Sequence, residues 1–382
     1  MSAGNRRTER VLLEARAARP KSDSTRPDSA RPNSSRSDSS VARPIGTPTH
    51  PADRTLSACD PDRLRMDIEE KRVYGDREGA LEAYVASSIG VVRVRVAGDT
   101  VGEFGLCDRC TARDIAAGGG VVAMATDEDV RLLALESGPE RDGDRDTEAQ
   151  TESADEPPVV DTGFGPAVAV GADDRGLIAA GPDGEVARLE ADAVAAAVET
   201  GHESGDSSPT VDAEWTPLEH NGVATVRAID GDLVGTDGGV YRVHEGALDH
   251  AGLTDVRDVS AAGVPLAATA DGLYKLGNGW MAVLEGEFET VAADPRSERG
   301  RLRRAHAVAG ETVYAYDADA ESWSEYDRSS APIAGIGYGA TVYAVTERGT
   351  FLSATPDDVG GRWRSQTIGV GDVTGLAVAD DG

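Results

Sequence analysis

Between Gly222 and Gly286 the chain reads as short runs of alternating apolar and polar residues. Residues 224–229, 232–236 and 239–243 are rich in β-branched side chains and are separated by Asp-Gly and Gly-Gly. That pattern predicts three hairpin-linked strands. It then restarts at 255–259, 265–269 and 272–276, and Thr236-Asp237-Gly238-Gly239-Val240-Tyr241-Arg242-Val243 returns as Thr269-Ala270-Asp271-Gly272-Leu273-Tyr274-Lys275-Leu276. Self-similarity at about 30–50 residues, built from strands with no helical period between them, marks a radial or linear repeat.

The same pattern divides the rest of the chain. A first unit supplies strands at 83–86, 90–96 and 100–104 and lacks its first strand. A second runs through 113–117, 121–125 and 130–135, then an acidic insertion near 139–157, then 158–161. A third holds 167–170, 176–180 and 185–189, a second acidic insertion near 190–213, and 215–218. The repeat pair above gives units four and five. The sixth has 289–293, 305–308, 312–316 and 323–326; the seventh has 333–336, 341–345, 349–352 and 363–366. Seven units over residues 66–382 are about 45 residues each, the size of a four-stranded propeller blade.

Residues 373–381 read as an innermost strand with nothing after it, and the first unit begins one strand short. The expected fold is therefore all-β: a seven-bladed β-propeller closed by pairing of the C-terminal strand with the N-terminal blade. Closure hides strand edges that would otherwise template association. Trp215, Trp280, Trp323 and Trp363 fall at the starts of the proposed outermost strands, where a large amphipathic ring can staple neighbouring blades. The Ala-rich stretch 186–198 is the one substantial helical-looking segment.

Composition changes the picture at the N-terminus. Residues 1–65 carry 13 basic against 8 acidic side chains, a net of +5, and residues 20–44 are dominated by Ser, Arg, Pro and Asp. Such a segment has too little to bury and is expected to be a disordered tail, or an upstream extension of a chain that starts at Met66. Arg6-Arg7 and Leu56-Ser57-Ala58-Cys59 have the outline of targeting signals but lack an apolar run of about 7–15 residues, so the expected location is cytoplasmic, with no membrane partner. The whole chain carries 68 acidic residues against 38 Lys and Arg, a net charge of -30. That excess suits a salt-saturated, haloarchaeal cytoplasm, where carboxylates hold water and screening limits their repulsion. It also disfavours DNA.

The stretches Glu82-Ala83-Tyr84-Val85-Ala86-Ser87-Ser88-Ile89-Gly90-Val91-Val92-Arg93-Val94 and Gly105-Leu106-Cys107-Asp108-Arg109-Cys110-Thr111-Ala112-Arg113-Asp114 resemble a haloarchaeal β-propeller family with no assigned activity. The resemblance spans about residues 66–382, implies the fold and transfers no functional residue. Pro356, Asp358, Gly360 and Trp363 are similar to a degenerate Asp-box turn of sialidase-like propellers, a turn that stabilises the fold away from the site.

Three clusters could carry chemistry. Cys107 and Cys110 form a C-x-x-C expected on the connection between the first two blades. Two thiolates can share a zinc, but a closed site needs about four ligands; His220 lies two junctions away, so zinc is expected only if it is shared between chains, and a redox pair or a reduced turn is the alternative. Arg296, Arg299, Arg301, Arg303 and Arg304 form the dense basic cluster, expected on the opposite face, a candidate site for an anion or acidic partner or a solvated loop. RNA is disfavoured there because no aromatic residues interleave for stacking. Asp127, Asp183, Asp237 and Asp271 fall on one rim, where hairpin geometry alone calls for Asp and Gly.

No nucleophile elbow, phosphate-cradling loop, metalloprotease motif or set of three arginines for a substrate carboxylate stands out. No cofactor is expected. Two function classes remain: a non-catalytic protein-interaction or ligand-binding propeller, and a hydrolase or lyase acting on a sugar or phosphate in the central channel with its acids scattered over several blades.

Overall fold

The computed structural model describes residues 80–135, 159–204, 209–223, 225–354 and 363–379, all within one compact unit, Asp60–Gly382. The expectations for residues 1–65, for Cys59, for the acidic segment 139–157 and for Pro356, Asp358 and Gly360 lie outside the described residues.

Seven four-stranded antiparallel sheets make up the described chain. Blade 1 holds β1 (Ala80–Ser87), β2 (Gly90–Ala97) and β3 (Thr100–Asp108), with β28 (Val373–Ala379) innermost. Blade 2 holds β4 (Ala112–Gly118), β5 (Val121–Thr126), β6 (Val130–Ala134) and β7 (Val159–Asp161). Blade 3 holds β8 (Ala169–Asp173), β9 (Gly176–Ala180), β10 (Val186–Glu190) and β11 (Thr216–Pro217). Blade 4 is β12 (Val226–Asp230), β13 (Leu233–Thr236), β14 (Gly239–His244) and β15 (Ala247–Gly252), and blade 5 is β16 (Val256–Ser260), β17 (Leu266–Thr269), β18 (Gly272–Leu276) and β19 (Trp280–Glu285). Blade 6 is β20 (Thr290–Ala293), β21 (Ala305–Ala309), β22 (Thr312–Asp317) and β23 (Ser322–Arg328), and blade 7 is β24 (Ile333–Tyr338), β25 (Val342–Thr346), β26 (Thr350–Ala354) and β27 (Arg364–Thr367).

The expected closure is present. β28 pairs antiparallel with β1, bringing Leu376 opposite Val85 and Val378 opposite Ala83. The inner strand of blade 1 thus comes from the far end of the chain.

Each blade boundary owns a core. Val121, Ala123 and Ala125 of β5 pack with Val170, Leu177 and Leu189 of blade 3, while Val122 and Met124 of the same strand pack with Tyr84 and Val91 of blade 1. Seven such clusters cover the seven boundaries. The second strand of a blade is buried on both faces, so β5 and β25 are apolar without alternation, the pattern that two-sided burial produces. Fully burying one such Val or Leu is worth about 1.5–3 kcal/mol.

A hydroxyl fixes the turn after the second strand in most blades. Ser87, Thr126, Thr236 and Thr269 are fully buried, and each donates to the carbonyl three residues on, at 2.7, 2.7, 2.8 and 2.8 Å. This local bond explains why Thr recurs before Asp and Gly in the repeat.

The tryptophans link neighbouring blades. The indole N–H of Trp280 donates to Ala251 O of blade 4 at 3.0 Å, and Trp363 meets Tyr326 of blade 6 edge-on at 5.8 Å. Trp215 stands against Phe164, on the connection from blade 2, at 4.8 Å.

One boundary is corrected. The helix is α1 (Ala191–Ser204), inside the second insertion, rather than 186–198. Residues 186–190 pair with β9 from Val186–Ala180 to Glu190–Gly176 and bury four of five side chains. Their partner across the sheet outweighs alanine's helix preference. α1 buries Val194 and Ala197 against blades 2 and 3. No helix among the described residues is long and apolar enough to cross a membrane.

Candidate functional site

The innermost strands surround a channel of about 430 Å³, and all seven contribute to its wall. In five of them the pairing with the second strand slips by one residue at the same place: between Ala112 and Asp114, Val226 and Ala228, Val256 and Asp258, Ile333 and Gly335, and Val373 and Gly375. The extra residues of these bulges are Arg113, Arg227, Arg257, Ala334 and Thr374, and every one lines the channel. A bulge places two residues opposite one and re-aims side chains, a common device at barrel rims and sites. Here it sets three guanidinium groups at the end of the channel where the chain enters each inner strand.

Their surroundings differ. Arg227 Nη1 is held by Asp255 Oδ1 at 2.7 Å. Arg257 reaches Glu287 and Glu289 only at 3.5 Å each. Arg113 is exposed and has no ion-pair partner among the described residues.

Deeper in the wall three carboxylates bind backbone. Asp258 Oδ1 accepts the amide of Val259 and its Oδ2 that of Val291 in the next blade, both at 2.8 Å. Asp114 repeats this with Ile115 and, in blade 3, Val170, both at 2.9 Å. Asp230 Oδ2 accepts the amide of Ala261 in blade 5 at 2.7 Å and a bond from the Ser260 hydroxyl; Ser260 Oγ in turn accepts Ala293 N of blade 6 at 3.1 Å. Burial pushes the Asp114 and Asp258 carboxyls up to about 7, against the pull of the amides, and the other channel aspartates push the same way. Burial raises Asp230 as well, with nearby Asp232 pushing the same way. These carboxylates tie blade to blade; no His, Cys or Lys lies among the described residues lining the channel.

The clusters picked out in the sequence lie elsewhere. Cys107 is the penultimate residue of β3 rather than part of the connection, because the outer strand runs on to Asp108, and its Sγ donates to Val91 O at 3.2 Å. Cys110 is on the connection, with its thiol pushed up to about 12 by burial and then by Asp108. Among the described residues no three His, Cys, Asp or Glu side chains gather to hold a metal ion, so His220 does not join the pair.

The arginine cluster divides in two. Asp294, fully buried, pairs with Arg296 Nε at 3.1 Å and Arg304 Nη2 at 2.7 Å, and both guanidiniums donate to Gly339 O. Arg304 also stands over the Tyr338 ring. Tyr338 Oη donates to Ala292 O at 2.8 Å and meets His306 Nδ1 at 3.0 Å; burial and then Arg304 hold that imidazole neutral, with its pKa down to about 3. Arg299, Arg301 and Arg303 are exposed and have no ion-pair partner among the described residues. The rim aspartates hold turns: Asp271 Oδ1 accepts the Thr269 hydroxyl at 2.7 Å, and the amides of Asp127 and Asp237 bond Thr111 O and Thr225 O at 3.2 and 3.3 Å. Asp183 sits in the turn closed by Gly181 N and Glu185 O at 2.9 Å.

The channel residues escaped the sequence reading although one signal for them exists. Arg-Asp followed by an aliphatic residue occurs at 113–115 and again at 257–259, in each case opening an inner strand.

Solved structures match over most of the chain at low identity. A computationally designed protein, Ika8, matches with 12% identity and a TM-score of 0.46, covering 78% of this chain and 90% of that one. Apo AztD from Citrobacter koseri matches with 11% identity and a TM-score of 0.44, covering 79% and 98%, and a chain of a nidogen/laminin complex with 9% identity and a TM-score of 0.47, covering 79% and 99%. No curated protein matches significantly. A family model described as an HVO_0234-like beta propeller matches residues 67–379. With seven closed blades over that same span, the chain belongs to the HVO_0234-like beta-propeller family.

Proposed function

We propose that this protein is a non-catalytic binding propeller that takes a small ligand at the arginine-bearing mouth of its central channel. The observation that carries the reading is the use of the channel carboxylates. Asp114 and Asp258 each spend both oxygens on backbone amides, one of them in the next blade. A general acid or base needs an oxygen aimed at the substrate proton, and these oxygens are aimed at the wall. Carboxyls near pH 7 in a cleft are otherwise the mark of an acid-base site, and on that ground alone a hydrolase or lyase stands as the second reading. A channel of about 430 Å³ is within the range of small-molecule sites. The net charge of -30 supports placing this binding in a salt-rich cytoplasm. The exposed Arg299, Arg301 and Arg303 offer an acidic protein a contact away from the channel.

The test is dialysis of the purified protein against a cell extract, followed by release and mass analysis of what it retains. Thr374→Trp, which fills the mouth from an exposed bulge position, is the comparison. A compound retained by the wild type, released unchanged and lost with the variant supports binding. Release of a converted compound supports the enzyme reading instead.

A further inference from the structure

Arg113 and Arg257 are the extra residues of equivalent bulges, three blade positions apart in a ring of seven, and so stand on nearly opposite sides of the channel mouth. Each is followed in the chain by an aspartate that does not neutralise it, because Asp114 and Asp258 turn to backbone amides. The third arginine, Arg227, is committed to Asp255 at 2.7 Å. Arg113 has no ion-pair partner among the described residues, and the two glutamates near Arg257 stay at 3.5 Å, longer than a well-formed charged hydrogen bond of about 2.7–2.9 Å. In a protein with 30 more acids than bases, Arg113 thus stands without an ion pair among the described residues and Arg257 with two long ones, on facing sides of one cavity.

We propose that the channel mouth binds a small organic dianion, with one oxyanion group on the Arg113 guanidinium and the other on Arg257. This deepens the binding-propeller reading and rests on it. The planar fork of arginine fits a carboxylate or phosphate group at two points, which an ammonium does not. Below the mouth the wall sets small apolar residues, Ala116, Ala172, Ile229 and Val259 among them, beside the Asp114, Asp230 and Asp258 carboxyls that turn to backbone amides, so a short hydrocarbon spacer meets apolar contacts there. Glu287, exposed and 3.5 Å away, gives way when the ligand arrives, while Glu289 stays anchored by the Gly310 amide at 2.9 Å. Dicarboxylates and phosphorylated acids share the required chemistry.

The test is calorimetric titration of the full-length protein with succinate, glutarate, 2-phosphoglycolate, butyrate and butane-1,4-diol. Dianions are expected to bind and the diol is not. Arg113→Gln and Arg257→Gln are each expected to weaken the best dianion by about ten- to a hundredfold, the loss of one hydrogen bond to a charged group. Arg299→Gln with Arg301→Gln, on the other face, is expected to change nothing. Melting curves confirm that the variants fold. Binding of butyrate as tight as that of the dianions, or a dianion affinity untouched by Arg113→Gln, overturns the inference. If a retained compound is lost with Thr374→Trp yet is indifferent to both arginines, the binding-propeller reading stands and the dianion inference falls. If nothing retained depends on residue 374, both fall.

Discussion

The Asp258 carboxylate accepts the Val291 amide at 2.8 Å across the boundary between blades 5 and 6. Its counterpart, Asp114, makes the same bond to Val170 at 2.9 Å across the boundary between blades 2 and 3. An inner strand has no hydrogen-bonding neighbour on its channel side, so its exposed amides need another acceptor. These side chains supply one and tie adjacent sheets together in doing so.

Replacing either aspartate by asparagine leaves one amide facing an NH₂ group. The expected loss is about 1–3 kcal/mol for each of Asp114→Asn and Asp258→Asn, the cost of one buried donor without an acceptor. Denaturant midpoints measure it, and an unchanged midpoint contradicts the staple role.

The same carboxyls set a pH dependence. Their pKa rises from 3.8 in the unfolded chain to about 7 in the fold, so the folded state holds protons that the unfolded state has released. The stability they contribute is fully present below about pH 4 and is lost as pH rises through 7. His306 acts in the opposite sense: its pKa falls from 6.5 to about 3, so its contribution is lost as pH drops below 6.5. Asp114, Asp258 and Asp230, whose carboxyl is also raised, outnumber the one imidazole, so the joint contribution of these four groups falls with rising pH between about pH 4.5 and 6.5. Asp114→Asn with Asp258→Asn is expected to flatten or reverse that slope in urea titrations across this range.

Gly335 of β24 leaves no room for a side chain. A Cβ there would lie 2.7 Å from Leu376 N and 2.9 Å from Leu376 Cβ, both on the closing strand β28. Gly335→Ala is expected to push blade 7 off blade 1 and cost about 1–3 kcal/mol by overpacking. Gly105→Ala meets nothing within 4 Å and serves as the control in the same thermal melts.

Asp294→Ala removes the fully buried partner of Arg296 and Arg304. Breaking a buried pair by removing one partner costs about 3–5 kcal/mol. Side-chain exposures of 39% and 20% let the two arginines recover some hydration, so the lower end is expected. A variant as stable as the wild type contradicts the assignment of these two residues to structure.

Cys110 has too high a pKa to react readily. Alkylation by iodoacetamide at pH 8 is expected to be far slower than for an ordinary thiol near 8.5, because the thiolate is the nucleophile. Fast labelling confined to Cys110, located by peptide mass mapping, contradicts the environment described for it.

The blades, their number, the closure and the tryptophan register were legible because they rest on strand period and turn chemistry, which are local. The arginine mouth was not. Strict alternation sends Arg113 and Asp114 to opposite faces, and the Arg-Asp-aliphatic triplet shared with 257–259 marks the place without revealing a slip; the bulge follows from how β4 pairs with β5. The extent of β3 escaped for a related reason. Gly102 and Gly105 weaken its strand signal, while pairing with β2 carries it to Asp108 and takes Cys107 into the sheet. Helix α1 begins later than composition suggests because alanine runs straight through the join at residue 190.

A crystal structure of the propeller with its retained compound is expected to show ligand density in the channel mouth, between the guanidiniums of Arg113 and Arg257. Density on the loop of Arg299, Arg301 and Arg303, with the channel mouth holding only solvent, would contradict it.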